Sequence, residues 1–350
     1  MTTKSSVQNN NERKIKCVVW DLDNTLWDGV LLESAPVFLR DGVINIIKAL
    51  DKRGILQSIA SKNEYDHAMT QLKAFGLLEY FIYPQINWNS KAQNIETIAK
   101  KINIGIDTLA FIDDQPFERD EVNFSHPSVF CLDAAEIDNM LELPEMNPRF
   151  LTEDSSRRRL MYLSNIARQK VENHFVGPKE EFLATLNMVL TIAPASVEDL
   201  KRAEELMVRA HQLNTTGYTY SYEELEQFRQ SDQHILLITG LDDKYGTYGK
   251  IGVILIECFD EVWTIKLLLM SCRVISRGVG SVVINHIRNE ARKKGVRLQA
   301  EFLANEKNRI MYMTYKFTYF KEKNTVNELL VMENDLSQIQ KFPEYLTVKY

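Results

Sequence analysis

The sequence predicts a two-part α/β protein, a Rossmann-like three-layer domain on a parallel sheet followed by an α+β domain. Three observations predict it. Up to about residue 135, short β-branched apolar runs alternate with apolar positions at helical 3–4 spacing. Two of those runs end in paired carboxylates, Asp21/Asp23 and Asp113/Asp114. Strand ends are where open α/β sheets take ligands. From Glu180 onward the strands adjoin through short loops, which marks antiparallel order.

Residues 1–14, MTTKSSVQNNNERK, are polar and read as a disordered lead-in. The run Cys17–Trp20 then reads as a buried strand that delivers Asp21 and Asp23 at i, i+2, on one side of the chain. Two such carboxylates repel unless a cation lies between them or one takes a proton. A Mg²⁺ site handling phosphate uses that pair. Val43–Leu50 has helical spacing and Gly54 ends it; Ile55–Ala60 is the next strand, followed by Ser61. A helix over Glu64–Phe75 stops at Gly76, a short strand spans Tyr80–Tyr83, and helix Lys91–Lys101 leads to strand Thr108–Ile112. Val129–Leu132 is a fifth strand, so the first domain covers residues 15–135.

Residues 136–179 read as a linker with a long helix. Asp133–Pro148 is acidic and holds two prolines, and Glu153–Phe175 carries Leu160, Leu163, Ala167, Val171 and Phe175 on one face. Its arginines, Arg157–Arg159, read as a solvated face. The second domain, 180–350, has strand Met188–Ala193 and a helix over Val197–Leu213 capped by Ser196 with Asp199. Strands His234–Thr239, Gly249–Phe259 and Val262–Met270 follow. Gly278–Gly280 opens a helix to Lys294; strand Val296–Leu303, helix Asn308–Phe317 and strand Leu329–Met332 complete it. The aromatic tail Phe342–Tyr350 is expected to pack back onto a domain.

Composition narrows the function classes. Of 350 residues, 45% are hydrophobic and 26% charged, the balance of a soluble globular protein. A net charge of −6 without a basic stripe argues against nucleic acid as a partner. No apolar run approaches the roughly 20 residues that span a bilayer, so no membrane is expected. The polar start lacks the hydrophobic segment of a signal peptide. Four cysteines, Cys17, Cys131, Cys258 and Cys272, are spread without a CxxC pair, as in a reducing cytoplasm.

Asp21, Asp23, Thr25, Ser61, Lys91, Asp113 and Asp114 all fall at strand ends or helix starts and so converge on one crevice. Asp-x-Asp-x-Thr followed by Ser, Lys and Asp-Asp resembles the haloacid dehalogenase-like phosphatases. The resemblance implies Asp21 as nucleophile and Asp23 as acid/base. It implies Mg²⁺ held by Asp21, the backbone carbonyl of Asp23 and Asp113, with Asp114 in support. Ser61, Lys91 and Thr25 would hold the phosphoryl oxygens. Neither Leu22–Ala60 nor Lys62–Ser90 leaves room for a large cap domain.

In the second domain, Cys272 ends a strand beside Arg273, and Ser276-Arg277-Gly278-Val279-Gly280 opens a helix. A positive helix end and a neighbouring guanidinium favour a thiolate. The other three cysteines read as core residues within apolar strands. Met188–Phe317 resembles the GNAT-like acyltransferase fold, with Ile275 where that family's phosphate cradle has a polar residue. Together VVWDLDNTLWDGVL, FIDDQPFER, the triple arginine, HQLNTTGYTYS and LMSCRVISRGVG resemble the FkbH-like family of glyceryl transferase/phosphatases. That resemblance implies a cytoplasmic enzyme of polyketide pathways that carries D-glyceryl from 1,3-bisphosphoglycerate to an acyl carrier protein. Cys272 would hold the acyl group as a thioester. His211 is the first choice as its base and His286 the second; Gln212, Asn214, Thr216, Arg273, Arg277, Lys307 and Asn308 are candidate substrate contacts. Two alternatives stay open: a Mg²⁺-dependent small-molecule phosphatase with a non-catalytic second domain, and a carrier-protein interaction module.

Overall fold

The computed structural model describes residues 14–33, 36–209, 213–306, 308–338 and 340–350. The chain divides into two compact units, the first ending at Leu163 and the second beginning at Ser164. The mixed α/β class expected from the sequence is the one observed.

The first unit runs β1 (Cys17–Trp20), a small hairpin of β2 (Trp27–Asp28) and β3 (Phe38–Leu39), α1 (Val43–Lys52), β4 (Leu56–Ser61), α2 (Tyr65–Ala74), β5 (Gln85–Ile86), α3 (Lys91–Ile102), β6 (Leu109–Asp113), α4 (Pro116–Ser125) and β7 (Phe130–Asp133). The sheet is parallel, in the order β5-β4-β1-β6-β7. Every residue of β1, β4 and β6 is buried, the mark of strands covered on both faces. Helices bring Val43, Ile46, Ile47, Leu50, Ala68 and Leu72 onto that core. With β1 at the centre, Trp20 pairs with both Ile59 and Ile112. Asp21, Ser61 and Asp113 therefore emerge from adjacent strand ends. Among the described residues no cap domain interrupts the intervals between them.

Three local expectations change. Tyr80–Tyr83 is not a strand; Leu78–Tyr80 is a 3-10 turn, and the edge strand is Gln85–Ile86. The acidic stretch read as a linker folds instead into a 3-10 helix, Ala134–Glu142. A 3-10 helix repeats every three residues, and Ala134, Ile137 and Met140 sit three apart and are buried, as is Met146 beyond. Burying each large side chain is worth about 1.5–3 kcal/mol, and the acids keep their water on the other side. The Arg53 guanidinium ties the segment down through the carbonyls of Leu141 and Met146, at 2.9 and 3.2 Å. The long helix breaks into α5 (Glu153–Ser156), with a Thr152/Ser155 capping box, and α6 (Arg158–His174). Its arginines are not one solvated face. Arg159 lies over the Tyr80 ring and pairs with Asp51 at 3.0 Å and Glu79 at 3.2 Å. Arg158 is buried, and Arg157 alone is exposed.

The second unit continues with α7 (Lys179–Ala184), β8 (Met188–Pro194), α8 (Val197–Arg209), α9 (Tyr222–Gln230), β9 (His234–Asp243), β10 (Gly246–Cys258), β11 (Val262–Met270), α10 (Val279–Lys294), β12 (Arg297–Phe302), α11 (Arg309–Phe317), β13 (Phe320–Val326), β14 (Leu329–Asn334) and β15 (Leu346–Lys349). They form one mixed sheet, β13-β14-β12-β11-β10-β9-β8-β15. The tail packs back as expected, β15 running parallel to β8. β13 escapes the sequence reading because it is polar and exposed apart from Phe320. Its turn to β14 uses Asn327 and Glu328, both at positive φ, the twist that tight hairpins need. The decisive pairing is β11 with β12. It is parallel from Val262↔Arg297 to Ile265↔Ala300 and then stops, so the two strands part beyond that point.

Cysteine burial is uneven. Cys17 is fully buried and its thiol is pushed far up by desolvation. Cys131 and Cys258 are only half-buried, against the expectation of core positions, because both lie where their strands reach an edge or end. Burial still pushes the Cys258 thiol up to about 11. None of the four is in a disulfide. No helix among the described residues is long and apolar enough to cross a membrane.

Candidate functional site

At the strand ends of the first unit, Asp21, Asp113 and Asp114 offer oxygens that all lie within 4.8 Å of one another. Lys91, the first residue of α3, reaches them from behind the Ser90 cap, whose hydroxyl accepts from Gln93 N. Its ammonium is 2.8 Å from Asp21 Oδ1 and also contacts Asp113 Oδ2. Lys91 is 3% exposed, Asp21 4%, Ser61 1% and Asp113 0%, so these charges have little water to screen them. Burial pushes the Asp21 carboxyl up to about 7, against the pull of Lys91 and with the push of Asp113; the Ser61 hydroxyl also bonds to it. Burial raises Asp113 too, against the same ammonium. Desolvation alone would lower Lys91, but the two carboxylates outweigh it and hold the ammonium above its usual range.

The donor set fits a hard divalent cation. Were all three carboxyl groups ionised, the single ammonium facing them would leave the cluster two charges short of neutrality. All three offer oxygen, the ligand atom Mg²⁺ prefers. Asp114 Oδ1 is buried and has no hydrogen-bond partner among the described residues, an orphan that a cation would satisfy. Backbone contacts hold the cluster in place. Thr25, fully buried, accepts from Asp114 N at 3.1 Å; Gln115 N donates to Asp113 Oδ1 at 2.8 Å; and Arg119 Nη1 donates to Asp113 O at 2.7 Å. The Thr25 hydroxyl is thus engaged with the Asp114 backbone.

Asp23 stands apart from that cluster. Its side chain, half-buried, accepts from the Trp27 indole at 2.7 Å and Leu31 N at 3.1 Å on Oδ1, and from Asn63 Nδ2 at 3.0 Å on Oδ2. Sequence reading missed Asn63 and Trp27. The one signal available was position, since Asn63 lies two residues beyond Ser61 at the same strand end.

Two measurable consequences follow from the buried charges. Replacing Lys91 by Met strands two desolvated carboxylates, a loss of about 3–5 kcal/mol by analogy with broken buried pairs. Thermal melts in chelator should show that drop, and added Mg²⁺ should recover part of it. The second concerns pH. A carboxyl raised from 3.8 to about 7 costs the metal-free fold nothing at low pH, and its ionisation costs progressively more as pH climbs through that window. A cation binds the ionised form and removes the cost. The Mg²⁺-induced rise in Tm should therefore be larger at pH 8 than at pH 5; an equal rise at both would contradict the charge assignment.

In the second unit, Cys272 is half-buried and opens a 3-10 turn, Cys272–Arg277, between β11 and α10. Gly278, at φ 73°, joins that turn to the helix; a Cβ there would come within 2.6 Å of the Tyr345 hydroxyl. Arg273 donates to Ser271 Oγ at 3.3 Å. Arg277 points inward. It is 2% exposed, pairs with Glu172 at 3.1 Å and lies over Phe182, while its Nε and Nη1 have no hydrogen-bond partner among the described residues.

The segment Asn214–Thr216 fills the opening between the parted strands. Thr215 N donates to Leu268 O at 3.1 Å, Leu268 N to Thr215 Oγ1 at 3.0 Å, and Leu303 N to Thr215 O at 2.9 Å. Asn214 Oδ1 accepts from Thr216 N and Gly217 N, and its Nδ2 donates to Tyr218 O. Thr216 Oγ1 donates to Lys266 O at 3.3 Å. Asn308, fully buried, donates to Asn214 O and Leu303 O at 3.1 and 2.8 Å. The polar groups of Asn214, Thr216 and Asn308 are thus engaged within the fold. His286 stacks on Tyr350 at 4.7 Å, where burial lowers its pKa, and faces a groove of about 1080 Å³ near the far end of α10. His211, Gln212 and Lys307 lie outside the described residues.

No family model matches the chain. No curated protein matches it. Solved structures do. The N-terminal part of protein BF1531 from Bacteroides fragilis, containing a phosphatase domain and complexed with Mg, is similar at 30% identity over 44% of this chain and 40% of that one, with a TM-score of 0.32. This chain thus covers less than half of that protein's solved part. The ribosomal-protein-S18-alanine N-acetyltransferase of Escherichia coli is similar at 17% identity over 43% of this chain and 97% of that one, with a TM-score of 0.34. The GNAT domain of S. lividans PAT is similar at 18% identity over 41% and 88%, with a TM-score of 0.32.

Proposed function

We propose that the chain is a bifunctional enzyme, a Mg²⁺-dependent phosphatase in its first unit and a Cys-dependent glyceryl transferase in its second. The observation that carries this reading is the cluster of Asp21, Ser61, Lys91, Asp113 and Asp114 at adjoining strand ends, in which three carboxyl groups face one ammonium and all but the half-buried Asp114 are buried. Asp21, Asp113 and Asp114 would hold Mg²⁺, with the Asp23 carbonyl. The ion would neutralise phosphoryl oxygens and leave phosphorus open to attack.

Asp21 attacks phosphorus and becomes an aspartyl-phosphate, while Asp23 gives its proton to the leaving oxygen. Asp23 then takes a proton from the water that releases phosphate. Ser61 and Lys91 orient the phosphoryl group, and Thr25 keeps Asp114 in register beneath it. The substrate class is D-1,3-bisphosphoglycerate. Its C1 acyl phosphate is already activated, so the Cys272 thiolate can displace phosphate without a metal. Its C3 monoester is inert and needs the Asp21 machinery. The glyceryl group would then pass from Cys272 to the phosphopantetheine thiol of an acyl carrier protein in polyketide assembly. That exchange of one thioester for another needs positioning more than driving force. The motif resemblance supports the transfer half, as does the place of Cys272 at the turn between β11 and α10.

Intact-mass measurement tests the whole. With Mg²⁺, 1,3-bisphosphoglycerate generated in situ and phosphopantetheinylated carrier, a glyceryl adduct is expected on the carrier. Absence of any glyceryl adduct from both proteins would overturn the transfer half.

A further inference from the structure

The phosphatase reading leaves open what aims its acid, and the present inference rests on that reading. We propose that Asn63, acting with the Trp27 indole, is the positioning residue that sets which oxygen of Asp23 carries the proton and where that proton points.

A carboxyl oxygen has two lone pairs. Asp23 Oδ1 spends both, one on Trp27 Nε1 at 2.7 Å and one on Leu31 N at 3.1 Å. Oδ2 spends one on Asn63 Nδ2 at 3.0 Å and, among the described residues, meets no second donor. A proton on Asp23 therefore resides on Oδ2. The two oxygens are tied to different segments, Oδ1 to β2 and the residues just beyond it and Oδ2 to the segment after β4, so the carboxyl plane cannot rotate without breaking a bond on one side. Both tethers are themselves fixed. Asn63 is 1% exposed, and its Oδ1 accepts from Glu64 N at 2.9 Å, which settles which end of the amide faces Asp23. Trp27 is fully buried and its ring packs against Phe75 at 6.1 Å. A buried asparagine between a catalytic loop and a helix start could serve folding alone. The bond from its amide nitrogen to Asp23 is what distinguishes the two roles.

In the first half-reaction an Asp21 oxygen bonds to phosphorus, the bond from phosphorus to the leaving oxygen breaks, and the Oδ2 proton passes to that oxygen. In the second, water bonds to phosphorus, the Asp21–phosphorus link breaks, and the water's proton returns to Oδ2. Misaiming Oδ2 harms the first step most when the leaving group is a poor one, because an alkoxide needs the proton and a nitrophenolate does not.

The test uses the full chain with Mg²⁺ and two probes, glycerol phosphate and p-nitrophenyl phosphate. It reads kcat/KM, which spans the steps through phosphoryl transfer to Asp21. In Asn63→Ala the value for the alkyl ester should fall about 10-fold further than that for the aryl ester, a part of the 10²–10⁴ that a positioned acid supplies. Trp27→Phe removes a donor from the other oxygen and should shift the ratio the same way; it decides the matter if Asn63→Ala fails to fold. Equal falls for both esters in an otherwise active protein would overturn the positioning role and leave the phosphatase reading standing. A wild-type protein inert toward both esters would overturn the two together.

Discussion

Asp21→Asn should abolish release of the C3 phosphate, by about 10³-fold or more as for loss of other catalytic nucleophiles, while leaving a phosphoglyceryl adduct on Cys272. Asparagine has nearly the shape of aspartate, so β1 and its neighbours keep their packing, but the amide cannot attack phosphorus. It also removes one of the two carboxylates that Lys91 neutralises. The acyl phosphate at C1 needs none of this machinery, so loading of the thiol should continue. Intact mass distinguishes the outcomes, because the adduct should be heavier by one phosphate than in the wild type. A variant that still accumulates the dephosphorylated glyceryl adduct would show that Asp21 is not the nucleophile.

Cys272→Ala should have the complementary effect. No adduct should form on the enzyme and no glyceryl group should reach the carrier, while release of phosphate from a simple monoester, carried by Asp21 and its neighbours, continues. The comparison separates the bifunctional reading from a phosphatase whose second unit is passive. In the passive case the variant would behave as the wild type in every assay. In the carrier-module case the wild type itself would bind carrier without acylating it.

Much of this organisation is legible in the sequence, for definite reasons. A strand buried on both faces must be apolar throughout, so CVVW announces β1, and the aspartates that follow it must leave the core at its end. The same logic places Ser61 at the end of β4 and Asp113 at the end of β6. Segments whose apolar residues are few or unusually spaced were not legible. Ala134–Glu142 buries a face with a three-residue period that its acidic composition conceals, and β13 offers the core only Phe320. Motif spacing was equally silent on Asn214, Thr216 and Asn308. Only the parting of β11 from β12 turns those residues inward, to close a gap between strands far apart in sequence.

The sequence by itself determined the order of the candidate site residues and the layers that carry them, because period-2 and period-3.6 burial act locally along the chain. The tertiary structure decided how those residues divide their work. Burial with one ammonium between carboxylates makes Asp21, Asp113 and Asp114 a site short of positive charge. Asn63 and Trp27, from separate segments, take Asp23 out of that cluster and tether it. Charge balance and hydrogen-bond geometry depend on distances between distant segments, and no local pattern in the chain encodes them.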